Sequence, residues 1–141
     1  MPDYQVISVD EFSGVTTLSP PSNPKILSGT EALVQIVYLA LMNSPGRSIN
    51  YPDDGSGMTD RIGKTNIIED GHSNTYSELN IAVAKVEKEI KSHQSTVSDI
   101  DPAEFLVGLE VLSIEEGATL GSIKIVLELL NGSDDRVKLT I

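Results

Sequence analysis

The stretch from Thr30 to Asn43 constrains this chain more than any other. Leu33, Ile36, Val37, Ala40 and Leu41 recur at helical spacing, and Val34, Tyr38 and Leu39 widen the apolar surface beyond one stripe. A helix apolar on nearly all sides is buried on nearly all sides. In a chain of 141 residues it is therefore either the central helix or a helix covered by a partner chain. Ser28 or Thr30 is expected to cap it, and Glu31 sits in the first turn, where the helix dipole favours negative charge. Asn43-Ser44-Pro45-Gly46 ends it, because the residue before a proline disfavours the helical region. A second break, Pro52-Asp53-Asp54-Gly55-Ser56-Gly57, follows closely. The stretch Leu41 to Met58 thus turns twice directly behind a dry helix.

The other elements arrange themselves around that helix. Residues 1–28 read as an extended arm, with a β-prone segment around Gln5 to Phe12 and three prolines between Pro20 and Pro24. It is either a frayed tail or an arm that orders against a neighbouring subunit. Residues 47–74 are a polar, turn-rich loop with one helical turn expected at Gly57 to Gly63. A second helix is expected from Tyr76 to His93, capped by Thr75 or Ser77. Leu79, Ala82, Val83, Val86 and Ile90 form its buried stripe, and Glu87 and Lys91 pair on its solvated side. Asp101-Pro102-Ala103-Glu104 is a compact start signal. In the strand that follows, both Phe105, Val107, Leu109, Val111 and Leu106, Leu112, Ile114 look apolar, as for a strand sandwiched between layers. Glu115-Glu116-Gly117-Ala118 turns the chain, and Leu120, Ile123, Ile125, Leu127 and Leu129 mark a second strand. Asn131-Gly132-Ser133-Asp134-Asp135 is a strong turn. Val137, Leu139 and Ile141 alternate on a final strand, expected to be a sheet edge able to accept another chain's backbone. The expected fold is α+β: two main helices packed on a small mixed β-sheet, with 1–28 as the arm and 29–141 as a single domain.

Composition narrows the function. Only 4% of residues are aromatic and none is Trp, so the core must come from Leu, Ile, Val and Ala. A net charge of −11 disfavours nucleic acid and anionic membranes, because phosphate binding rests on Lys and Arg. The absence of cysteine excludes disulfides and thiolate metal sites. No signal peptide is expected at MPDYQVISVDEF, and the longest apolar run, within Ala32 to Met42, is far short of the ~20 residues of a membrane helix. His72 and His93 have no metal-ligand spacing, and there is no nucleophile elbow or phosphate loop. Asp53-Asp54 and Asp99-Ile100-Asp101 supply paired carboxylates, which glycosidases use but which turns use far more often. No enzyme, cofactor or metal ion is expected.

The succession of helix, Ser44-Pro45-Gly46-Arg47-Ser48, Tyr51-Pro52-Asp53-Asp54-Gly55-Ser56-Gly57-Met58, and a turn ending at Ile62-Gly63 resembles the baseplate wedge proteins of contractile-tailed bacteriophages. These form the W-type or sheath-initiator family, with relatives in type VI secretion and other contractile machines. The order of elements is similar from about residue 28 to the end. Three positions depart from the pattern. Arg47 stands where the family has Glu, Asp54 stands where it has Phe, and its Glu-Pro-Arg signature falls near Glu87-Lys88-Glu89 with only the first residue kept. The resemblance implies a structural protein of the virion, assembled in the host cytoplasm and present in six copies per baseplate. Such a protein joins the wedge ring to the first ring of the tail sheath. Its implied partners are the sheath protein, other wedge and hub proteins and the tail tube, with neither nucleic acid nor membrane among them. The implied contact residues are Pro45, Gly46, Arg47, Pro52, Gly55, Gly57 and Glu87, together with Val137, Leu139 and Ile141 for strand exchange with the sheath. Some family members carry a lysozyme label, and no residue here supports that activity. A hydrolase acting through Glu87 or Asp53/Asp54, and a stand-alone acidic adaptor, are the competing functions. Removal of Val137 to Ile141 is expected to spare the helices and abolish sheath nucleation.

Overall fold

The computed structural model describes residues 3–9, 14–43, 73–116 and 123–141. Helix α1 spans Gly29–Met42 and helix α2 spans Ser73–Ser95. A single 3-10 turn, Pro102–Glu104, leads into β5 (Leu106–Glu116), β6 (Ile123–Asn131) and β7 (Arg136–Thr140). Before them, the described residues of the arm hold four two-residue strands, β1 (Asp3–Tyr4), β2 (Ser8–Val9), β3 (Thr16–Thr17) and β4 (Ile26–Leu27). The fold is α+β as the sequence implied. The sheet expected to be mixed has strand order β5-β6-β7 and pairs antiparallel throughout. Connections as short as 117–122 and 132–135 suit hairpins, whereas a parallel pair needs a crossover of about a dozen residues or more.

Both helices lie on one face of the sheet. Leu33, Val37, Leu41, Leu79, Val86, Leu106, Leu127 and Leu129 are fully buried between the layers, with Leu139 and Ile90 nearly so. The expected stripe on α2 is the buried one, and the helix runs slightly beyond its expected ends, so Thr75 and Ser77 lie inside it rather than capping it. Leu127 sits on the central strand at zero exposure. Leu127→Ala is expected to cost about 3 kcal/mol, while Leu112→Ala, on a side chain 39% exposed, should cost under about 1 kcal/mol in urea unfolding.

The expectation that β5 is apolar on both faces because two layers sandwich it does not hold. The β5–β6 register slips between Leu106 and Gly108 and again between Val111 and Ser113. Each slip is a bulge, and a bulge reverses which face the following side chains take. Leu106, Leu109, Val111 and Ile114 turn toward the helices, and the bulged residues Val107 and Leu112 are exposed. The doubled alternation is one buried face with two changes of phase.

The near-uniform apolarity of α1 has its explanation within the chain. The sheet and α2 cover one side, and the arm covers another. Ile7 of the arm joins the core, and Leu27 is 5% exposed. The arm is clamped by Gln35, a polar side chain only 3% exposed. Its Oε1 accepts from the Val6 N–H at 2.9 Å, and its Nε2 donates to the Tyr4 carbonyl at 3.0 Å. One side-chain amide thus pairs with the arm backbone as a neighbouring strand would. β1 pairs with β4 and β2 with β3, so these stretches fold back on their own chain.

The cap on α1 also differs from expectation. Ser28 occupies the N-cap position without a side-chain bond, and Thr30 Oγ1 instead accepts from Asn131 Nδ2. The Gly29 N–H donates to Glu104 Oε1 at 2.9 Å. The 3-10 turn delivers a carboxylate to the positive end of the helix from a distant part of the chain. Asp101 in turn caps that 3-10 turn, its Oδ1 accepting from the Ala103 N–H at 3.0 Å.

Candidate functional site

The sequence-based contact residues fall into three groups. Pro45, Gly46, Arg47, Pro52, Gly55 and Gly57 lie outside the described residues, as do Asp53, Asp54, His72 and the expected turn at Gly57 to Gly63. Glu87 is on α2 and accepts from Lys91 Nζ at 2.8 Å. Val137, Leu139 and Ile141 are on or beside β7, the edge strand.

The two edge strands of the sheet, β5 and β7, are unequal. On β5 the two bulges break the row of backbone groups, and its start is capped by Gln94. Gln94 Oε1 accepts from the Leu106 N–H at 2.9 Å, and its Nε2 donates to the Glu104 carbonyl at 2.8 Å. Bulges and covering groups protect an edge from pairing. β7 has an unbroken register against β6 from Arg136 to Thr140.

The backbone direction along β7 follows from its ends. Ile125 and Ile141 exchange both N–H···O=C bonds, at 2.9 and 3.0 Å, and the Asn131 N–H donates to the Asp135 carbonyl. In an antiparallel ladder such pairs alternate with pairs whose groups point away. Val137, Leu139 and Ile141 therefore direct their backbone groups into β6 and their side chains into the core, where Leu139 is 1% exposed. The open groups belong to Arg136, Lys138 and Thr140, each with one N–H and one carbonyl facing outward, and no described residue pairs with them. The three residues named from the sequence support this edge from beneath. Deleting 137–141 would remove core side chains as well as the edge, so it cannot separate folding from docking.

On the face away from the helices, Arg136 Nη1 donates to Glu128 Oε1 at 2.9 Å, and the β6–β7 register sets Lys138 directly beside Glu128. Glu110 lies on the other side of Glu128. A shallow cavity of about 250 Å³ is lined by Glu87, Glu110, Glu128 and Arg136 beside Gly108 and Leu130. It gathers three carboxylates. Glu87 and Glu128 are engaged by Lys91 and Arg136, and among the described residues that line the cavity there is no histidine, serine or tyrosine to complete a catalytic set. Among the described residues no three His, Cys, Asp or Glu side chains form a metal-binding group, and no helix is long and apolar enough to cross a membrane.

No protein-family model matches the chain, and no curated protein matches it in sequence. The chain is similar to a crystal structure from Geobacter sulfurreducens described as that of a candidate tail lysozyme, with a TM-score of 0.50 over 82% of this chain and 91% of the other. At 19% identity this is a likeness of fold.

Proposed function

We propose that this chain is a non-enzymatic structural component of a contractile phage tail. In this role it sits in the baseplate and offers the open edge of β7 to a strand of the first sheath ring. The observation that carries the proposal is the unequal pair of sheet margins: one is broken by two bulges, and the other presents outward-facing backbone groups at three alternate residues in unbroken register. Such an edge gives directional docking through about four to six backbone hydrogen bonds without a large apolar patch. The likeness of fold to a protein described as belonging to a tail supports the same context, as does the resemblance around Pro45-Gly46 and Pro52 to Met58. Wedge, hub and tube proteins are the other proposed partners.

The description of that neighbour as a candidate lysozyme, together with the three carboxylates beside Gly108, favours one second function, a cell-wall hydrolase. Two measurements separate them. Mixed with purified sheath protein, the chain is expected to nucleate sheath rings visible by electron microscopy, and it should release no dye from labelled peptidoglycan. Robust release that disappears in Glu87→Gln would establish the hydrolase and end the structural proposal.

A further inference from the structure

Beside β7 lies a cavity of about 200 Å³ whose mostly apolar wall comes from Ile7, Val9, Leu27, Val34 and Val137, with Gln5, Ser8, Lys25, Thr30 and Glu31 also lining it. About 150 Å³ suffices for a benzene ring, so this space admits a branched aliphatic or aromatic side chain. Its place is set by the register already described. In a strand added antiparallel to β7, the residue opposite Val137 points to the helix side, the side on which Val137 lines this cavity. The residue opposite Lys138 points to the other face.

On that other face β7 itself is cationic, although Glu128 and Glu110 lie behind it and the chain carries a net charge of −11. β7 holds Arg136 and Lys138 and no acidic residue. Glu128 is ion-paired to Arg136, and Lys138 makes no ion pair among the described residues. A lysine on an open edge repels casual pairing, and the repulsion is relieved when the incoming strand brings an anion. A second copy does not meet that condition, because full antiparallel overlap of two β7 strands sets Lys138 against Lys138, and like charges directly opposite are unfavourable.

Building on the docking role of β7, we propose that the strand it receives alternates in chemistry. It places a large apolar residue opposite Val137, seated among Ile7, Val9, Leu27 and Val34, and an Asp or Glu opposite Lys138. The partner is thus a different chain with an amphipathic strand, apolar toward the helices and acidic toward solvent.

The test uses the full-length chain and two synthetic strand peptides that share apolar inward positions and differ only in Glu or Lys at the outward position. Titration calorimetry is expected to show the Glu peptide binding roughly tenfold more tightly than the Lys peptide, the swing from attraction to repulsion across one pair. Lys138→Glu should reverse the order. Val9→Trp, at a side chain 58% exposed, should fill the cavity and weaken the Glu peptide without lowering the melting temperature. Equal affinities, an unchanged order in Lys138→Glu, or no binding of either peptide overturns the proposal. If sheath nucleation persists in such a case, the docking role stands and only the strand chemistry falls. If nucleation is absent as well, the docking role itself is wrong.

Discussion

Asn131→Ala is expected to destabilise the protein by about 3 kcal/mol, a loss usually associated with a large core side chain. Asn131 is 1% exposed at the end of β6. Its Nδ2 donates to the Ala103 carbonyl at 3.1 Å and to Thr30 Oγ1 at 3.3 Å, and its Oδ1 accepts from the Ser133 and Asp135 N–H groups at 3.0 Å each. One side chain joins the hairpin turn, the 3-10 turn and the first turn of α1. Alanine leaves four groups without that partner. An unsatisfied buried polar group costs about 1–3 kcal/mol, and a typical bond contributes about 1 kcal/mol net. Ser133 and Asp135 lie in an exposed turn where water can replace the lost acceptor. The larger part of the loss therefore falls at Ala103 and Thr30. Asn131→Asp keeps the acceptor toward the turn, loses the donor, and sets a carboxylate against the Ala103 carbonyl. It is expected to be nearly as damaging. Urea unfolding followed by circular dichroism measures both, and a cost below about 1 kcal/mol for the alanine variant would show that this node is dispensable.

Gly132 belongs to the same node. Its N–H donates to the Pro102 and Phe105 carbonyls at 2.9 and 3.0 Å, and an added Cβ would approach the Pro102 oxygen to 2.8 Å. The sequence marks Asn131-Gly132 as a turn on composition alone. In the structure Gly132 permits the close approach and Asn131 locks it.

This contrast explains what could be read from the sequence. Helices α1 and α2 and the start signal at Asp101 declare themselves through periodicity and local hydrogen bonding, which are properties of neighbouring residues. The carboxamides of Gln35, Gln94 and Asn131 act across about 10 to 100 residues of chain, and hydropathy patterns treat them as ordinary polar positions. Glu104 capping α1 is hidden for the same reason. The bulges in β5 were visible as a doubled alternation, but that pattern has two explanations, and only the partner strand decides between them.

At the candidate site, the edge position of the last strand was legible and the identity of its outward residues was not. Hydropathy reports where side chains point, whereas backbone bonds run perpendicular to them. The missing signal was the length of the turn. Asn131 and Asp135 close the hairpin with a hydrogen bond, and counting in twos from Asp135 assigns Val137, Leu139 and Ile141 to β6. Arg136, Lys138 and Thr140 are left for a newcomer.

Lys138→Pro is therefore expected to abolish sheath nucleation while leaving the fold intact. Proline removes one N–H, and at Lys138 that N–H points away from β6. Edge positions of this kind are where sheets tolerate proline, and the residue before it must be extended, as Val137 already is within β7. The melting temperature should fall by no more than a few degrees. Leu139→Pro, one residue further along, is the control with the opposite outcome. Its N–H belongs to the β6 ladder and its side chain is 1% exposed in the core, so loss of the bond and of the packing should unfold the protein at room temperature, a cost of about 3 kcal/mol or more. The pair of variants separates docking from stability, which removal of residues 137–141 cannot do. A Lys138→Pro protein that melts normally and still nucleates sheath rings at the wild-type rate would rule out strand addition at β7.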